Sequence, residues 1–291
     1  MGPSRQLSFS VPISVSRLGS LDSSRICTMK FSSFFASLAL GALQVAAAPA
    51  ELAARAPTLF LCGDSTMARS SDAQMDGWGQ YVGKYLNIAV VNRAIGGRSS
   101  RSFWNEGRFQ SVANEVKAGD IVVIEFGHND VGSPRSNDNG RSVCPGEGTE
   151  TCVSDKTGEK VYTFVFYVIQ AAKLMTAKGA TVILSSQTPK NQWATGTWDG
   201  TPSRFVSMQQ KAAAALNNPS VTFVDHHQAV SNMYRKLGAS AVRALYIKDN
   251  THTSAAGADL SSQAFVQAIY QKMNGATSLA SHVKTPIKIV Y

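Results

Sequence analysis

The sequence predicts an α/β fold of three layers, α/β/α and flavodoxin-like, around a mainly five-stranded parallel sheet. Three observations predict it. Short, almost wholly apolar runs recur between residues 58 and 224, the pattern of strands buried on both faces. Segments with apolar residues at helical spacing separate those runs. Glycine or polar turn residues follow the apolar runs, where parallel sheets of this kind place their ligands.

The elements follow in order. Thr58–Cys62 is apolar, closes on Gly63 and reads as the first strand. Trp78–Leu86 sets Trp78, Tyr81, Val82, Tyr85 and Leu86 at helical spacing and predicts a helix. Ile88–Val91 is the second strand, Val112–Lys117 a helix, and Ile121–Phe126 the third strand, again before a glycine. Residues 127–160 read as one long loop. Phe164–Ala177 is a helix, Thr181–Ser185 the fourth strand, Ser203–Leu216 a helix and Val221–Val224 the fifth strand. His226–Leu237 reads as helical, and Ser254–Met273 as the final helix with Ser254 its N-cap. No repeat or linker divides this stretch, so residues 51–291 are read as a single domain.

The N-terminal fifty residues have a different character. Met29-Lys30 is followed by an apolar, Ala- and Ser-rich stretch to Ala48, and Ala48-Pro49-Ala50 fits a small-x-small cleavage pattern. Residues 29–50 are therefore read as a signal peptide, which implies a secreted, extracellular protein. The stretch is too short and too rich in small residues for a membrane span. Residues 1–28 are read as an upstream extension with Met29 as the true start; a longer leader is the alternative.

Apolar residues at 44% supply a sizeable core, and charged residues at only 16% give no signature of disorder. The formal net charge is +9. Arg5, Arg17, Arg25 and Lys30 face only Asp22 in the first fifty residues, leaving six net charges on the rest. That excess is scattered, without a dense basic run or zinc-finger spacing, so no nucleic-acid partner is expected. A monomer is expected. Of the four cysteines, Cys27 precedes the signal and Cys62 reads as a small buried residue. Cys144 and Cys152 lie close together in a Gly-, Asn- and Ser-rich loop and are expected to pair in an oxidising compartment.

Four polar blocks carry the candidate chemistry. Gly63-Asp64-Ser65-Thr66 follows the first strand, where a strand-to-helix turn exposes a serine and the helix N-terminus favours negative charge beside it. No Gly-x-Ser-x-Gly occurs, so a nucleophile elbow is not indicated. Asn92-Arg93-Ala94-Ile95-Gly96-Gly97-Arg98-Ser99 follows the second strand, and its glycines allow a backbone N–H to approach a ligand. Gly127-His128-Asn129-Asp130 follows the third, where an Asn amide can donate to a developing oxyanion. Asp249-Asn250-Thr251-His252 precedes the final helix, with a carboxylate three residues before a histidine, able to orient its ring. His128 reads as structural or substrate-contacting; His226 and His227 are competing bases. Taken singly, each block is an ordinary turn or helix cap. Together, at one sheet edge, they supply a nucleophile, a backbone donor, a side-chain donor and an oriented base, which is the set acyl transfer needs.

With those blocks in place the chain resembles the SGNH (GDSL-type) hydrolases, and within them the fungal rhamnogalacturonan acetylesterases. The resemblance rests on Gly63–Met67, Trp78-Gly79, Gly97-Arg98-Ser99, Glu125–Asp130, Asp138–Arg141, Leu184–Pro189 and Thr251-His252-Thr253, and covers about residues 58–272. It implies a triad of Ser65, Asp249 and His252. It also implies an oxyanion hole of the Ser65 and Gly97 N–H groups and the Asn129 amide, with Gly96 the alternative glycine. The expected activity is removal of acetyl groups from a pectic polysaccharide without metal or organic cofactor. Asp64, Trp78, Arg98 and Trp193 are the expected substrate contacts, with Arg101 a second cation for galacturonate. Esterases of this family acting on xylan or lipid, and a catalytically silent carbohydrate-binding protein, share the fold as alternatives. No cysteine follows Cys152, whereas fungal members carry a second disulfide towards the C-terminus, so residues 277–291 are expected to be less secured.

Overall fold

The computed structural model describes residues 55–291; the expected extension and signal peptide, 1–50, lie outside the described residues. In chain order the strands are β1 (Thr58–Gly63), β2 (Ala89–Asn92), β3 (Ile121–Glu125), β4 (Thr151–Val153), β5 (Lys160–Tyr162), β6 (Thr181–Ser185) and β7 (Val221–Val224). The helices are α1 (Ser100–Asn105), α2 (Arg108–Glu115), α3 (Phe164–Thr176), α4 (Arg204–Leu216), α5 (His226–Ala244) and α6 (Ala255–Tyr270). Five strands form one parallel sheet in the order β2-β1-β3-β6-β7. Among the described helices none is long and apolar enough to cross a membrane.

Alternation along the strands builds the three layers. Phe60, Cys62, Val122, Ile124, Val182 and Leu184 face one side and pack with α1 to α4. Leu59, Leu61, Ile121, Val123, Ile183 and Val224 face the other and pack with α5 and α6. Because both faces are covered, β1 and β3 read as continuous apolar runs. Cys62 is fully buried, and burial pushes its thiol well above the usual range.

Five local expectations need correction. Trp78–Gln80 and Val82–Tyr85 are two 3-10 turns rather than one α-helix; Gly79 and Gly83 weaken a regular helix there. Ser65 is followed by a single turn, closed by the Met67 and Ala68 N–H groups on the Asp64 carbonyl, and not by a helix. The long loop contains an antiparallel hairpin, β4–β5, and Cys152 on β4 is disulfide-bonded to Cys144. A short helix, α1, is capped by Ser99, whose hydroxyl accepts from the Ser102 N–H while the Ser102 hydroxyl accepts from the Ser99 N–H. That reciprocal cap uses Ser where Glu or Gln is the usual signal. The helix expected over Val112–Lys117 lies earlier, as α2 (Arg108–Glu115). Elsewhere the agreement is close: α5 changes course at Gly238, one residue after its expected end, and Ser254 caps α6.

The C-terminal tail is secured without a disulfide. Leu279 and Val283 are buried, and the Gln267 side chain accepts from the Val290 N–H and donates to the Tyr291 carbonyl.

Candidate active site

The sheet order decides where the polar blocks meet. β1 lies between β2 and β3, and the chain leaves it first to one side and then to the other. This reversal opens a crevice at the carboxyl ends of the strands. The Ser65 turn follows β1, the Gly97 loop β2 and the Asn129 loop β3, so Ser65 has the other two as flanks.

Side chains lock the three loops together. Asn92 donates to the Met67 carbonyl at 2.8 Å and accepts from the Ala94 N–H at 3.0 Å, tying the Ser65 turn to the Gly97 loop. Asp130 is fully buried and accepts from the Ser100 N–H and hydroxyl, tying α1 to the Asn129 loop. The loop bearing Asp249 and His252 is held from two sides. Asp76 N–H donates to the Thr253 carbonyl, and Asn191 bonds Asn250 through both backbone and side chain.

Ser65 is half-buried, and its Oγ lies 2.8 Å from His252 Nε2. His252 Nδ1 lies 2.7 Å from Asp249 Oδ2. The other Asp249 oxygen accepts from the N–H groups of Thr251 and His252. Burial pushes the Asp249 carboxyl up, but these hydrogen bonds outweigh it and hold the group below the ordinary carboxylate value. Beside Ser65 is a cleft of ≈ 290 Å³ lined by Met75, Asp76, Gly96 and His252.

The donor side is equally defined. Gly97 takes φ +75°, a conformation a side chain would strain. Neither its N–H nor that of Ser65 donates a hydrogen bond among the described residues. The Asn129 amide donates one hydrogen to the Arg98 carbonyl, and its oxygen accepts from Arg141 Nη1 at 3.2 Å. An amide carries two N–H bonds, so one remains for a ligand. Arg141 is a residue that the sequence reading did not place in the site. Its guanidinium meets no carboxylate among the described residues.

Several expected contacts are absent. Trp78 is 1% exposed and donates to Glu125 Oε1, so it offers no face to a sugar. Asp64 is buried beneath Ser65, with Oδ1 occupied by the Thr66 N–H and hydroxyl. Arg101 is buried against Asp138 and Glu159. Arg98 pairs with Glu106 and donates to the Gly96 carbonyl, and its own carbonyl accepts from Asn129, so its guanidinium faces no substrate. Trp193 packs edge-on to Trp198, donates to the Tyr234 carbonyl and lines no part of the cleft. Neither competing base bonds to Ser65. His226 is locked between Glu125 and the Ser261 carbonyl, and His227 is buried near Ser231.

Asp130 makes a testable prediction. Burial pushes its carboxyl up to about 7, with the Asp64 charge adding and the Ser100 hydrogen bonds opposing. A carboxyl raised on folding binds its proton more tightly in the folded chain. Its contribution is present below pH ~4 and is lost as pH rises through about 7. Asp130→Asn keeps the acceptor for Ser100 and removes the titration. Melting temperature measured from pH 4 to 8 is expected to fall less steeply in the variant; parallel curves would refute the assignment.

Comparison with known proteins places relatives beside this geometry. Residues 61–260 match the family model described as the GDSL-like lipase/acylhydrolase family. The chain is 48% identical over 218 residues to a rhamnogalacturonan acetylesterase of Emericella nidulans, covering 74% of this chain and 86% of that protein. It is 27% identical over 210 residues to YesY of Bacillus subtilis, described as a probable rhamnogalacturonan acetylesterase, covering 69% and 87%. The crystal structure of Bacillus subtilis YxiM superposes with a TM-score of 0.58 at 23% identity, over 75% of this chain and 57% of that one, a likeness of fold.

Proposed function

Because this chain belongs to the GDSL-like lipase/acylhydrolase family, whose chemistry is carboxylic-ester hydrolysis, we propose that it is a secreted esterase removing acetyl groups from rhamnogalacturonan. The observation that carries the reading is the unbroken run from Ser65 Oγ through the His252 ring to Asp249, at 2.8 and 2.7 Å, opening on a cleft. His252 takes the Ser65 proton as Oγ attacks the acetyl carbonyl, and Asp249 stabilises the imidazolium that forms. The oxyanion is met by the Ser65 and Gly97 N–H groups and the free hydrogen of Asn129. His252 then protonates the departing sugar oxygen. Water, deprotonated by the same ring, releases acetate from the acetyl-serine.

Ser65 is followed by a turn and not by a helix, so the oxyanion depends on those three donors. Asn129→Ala is expected to lower kcat by roughly 10²–10³ with KM little changed, the usual effect of losing one such donor. Steady-state hydrolysis of p-nitrophenyl acetate measures it, and a loss below tenfold would remove Asn129 from the role.

The relatives and the walls of the cleft support this substrate. Ser70, Ser71 and Asp76 line it, which suits a short acyl group on a polar chain better than a lipid tail. Arg141, unpaired and touching Asn129, is the cation set to meet a galacturonate carboxylate, in place of the buried Arg101. Secretion is supported by the leader-like residues 29–50 and by the Cys144–Cys152 disulfide, a bond typical of oxidising compartments. The deciding experiment measures acetate release from acetylated rhamnogalacturonan, acetylated xylan and a long-chain ester. The first is expected to be hydrolysed fastest; faster release from either of the others would overturn the substrate.

A further inference from the structure

A second cavity opens at the same sheet edge, on the far side of Asn129 from β1. It measures ≈ 370 Å³, within the ~300–1,000 Å³ usual for small-molecule sites. Its floor is Gly127 and His128, directly before Asn129. Its wall includes Asn191, which is bonded to the loop carrying Asp249 and His252. An occupant would therefore lie next to the acetyl-transfer site and outside it.

The lining is polar and incompletely satisfied. Gln187 and Gln192 are each 6% exposed. Gln192 has no partner for either amide atom, and Gln187 has none for Oε1. Gln187 Nε2 donates to His128 Nδ1 at 3.3 Å, so the His128 proton sits on Nε2. That atom finds no hydrogen bond of good geometry, and burial pushes the ring towards its neutral form, with the Asp64 and Glu125 charges and the Thr188 carbonyl opposing. Buried polar groups are nearly always paired, and such a cluster calls for a ligand or water. The last torsion of a Gln side chain is soft, so a small turn brings either amide onto an occupant.

The layout is built and not incidental. Gly127 has φ +145°, and a Cβ there would stand 1.8 Å from Gln187 Oε1. Glycine at this position is what lets the Gln187 amide lie across the floor.

The chemistry indicates the class of ligand. Amides and a neutral imidazole both donate and accept, as hydroxyl groups do. Lys190 and Asp199 balance one another in the lining, so it carries no net charge. Exposed Val131 and Pro202 give the mouth an apolar face for C–H groups. We infer that this cavity is a subsite for a neutral pyranose residue of the polysaccharide, flanking the residue that carries the ester. The inference rests on the esterase reading above; in a chain of rhamnose and galacturonate, the neutral sugar is rhamnose.

The test uses the whole protein and two probes, methyl rhamnopyranoside and sodium methyl galacturonoside, followed by saturation-transfer NMR. Transfer to the neutral sugar is expected, and its loss in Gln192→Leu. Leucine fills the same space without unpaired atoms, so the variant is expected to melt at or above the parent temperature. KM for acetylated rhamnogalacturonan should rise about tenfold while kcat on that polymer moves less than twofold. If leucine lowers the melting temperature, Gln192→Met is measured in the same way. Equal transfer in parent and variant, stronger binding of the galacturonoside, or transfer to neither sugar (a water-filled cavity only) would overturn the subsite. Failure of the esterase reading looks different: the parent protein then releases no acetate from the polymer, while the sugar titration still decides the cavity.

Discussion

Replacing Ser65 by alanine is expected to lower kcat for p-nitrophenyl acetate by roughly 10⁶. In the proposed mechanism the serine oxygen forms the covalent bond, so no neighbouring group substitutes for it. His252→Ala should fall to a similar level, because Ser65 Oγ then has no base within reach to take its proton. The double variant should be no worse than either single one, since nucleophile and base act as a unit. Residual turnover of roughly 10³–10⁴ over water is expected from the N–H groups and binding alone. Far-UV dichroism must match the parent for the comparison to count. A Ser65→Ala protein within tenfold of the parent would dismantle the mechanism.

The largest effect on stability is expected at Arg101. Its guanidinium is buried; Nη1 and Nη2 each meet an Asp138 oxygen at 2.9 Å, and they also meet the Ser142 carbonyl and Glu159. This ties α1 to the segment that leads into the β4–β5 hairpin. Against the cost of burial, Arg101, with hydrogen bonds from Ser154 and the Gly140 N–H, holds the Asp138 carboxyl well below the usual range. Arg101→Ala leaves Asp138 buried without its cation and is expected to cost about 3–5 kcal/mol. In a domain of this size that lowers the melting temperature by roughly 10 °C. Arg101→Lys should restore little, because one ammonium cannot reproduce the two parallel bonds. Urea denaturation of the three proteins measures this, and a loss below 1 kcal/mol for Arg101→Ala would refute it.

Most of the architecture could be read because burial on both faces leaves an unbroken apolar run, and β1, β3 and β6 are such runs. The site blocks were visible because each directly follows a strand or precedes α6. What escaped depends on partners far away in the chain. Nothing local separates Arg101 from Arg141; the first is claimed by carboxylates 37 and 58 residues on, while the second is left beside Asn129. Trp78 sits in a polar neighbourhood of sequence, yet its indole N–H is taken up by Glu125, 47 residues away. The hairpin strands have three residues each with one buried, too short for a period to show. Gln187 and Gln192 look like ordinary loop amides until their lack of partners is seen in three dimensions.

Ser65 and His252 are 187 residues apart, and that span has a kinetic meaning. Ser65 follows the first strand and His252 sits just before α6, so the bond between them closes over most of the domain. Contacts of such long range form slowly compared with helices and turns. Helical dichroism therefore reports only local order in a refolding sample. The first turnover marks the moment at which the two ends of the domain have met, which makes ester hydrolysis a built-in clock for that long-range contact.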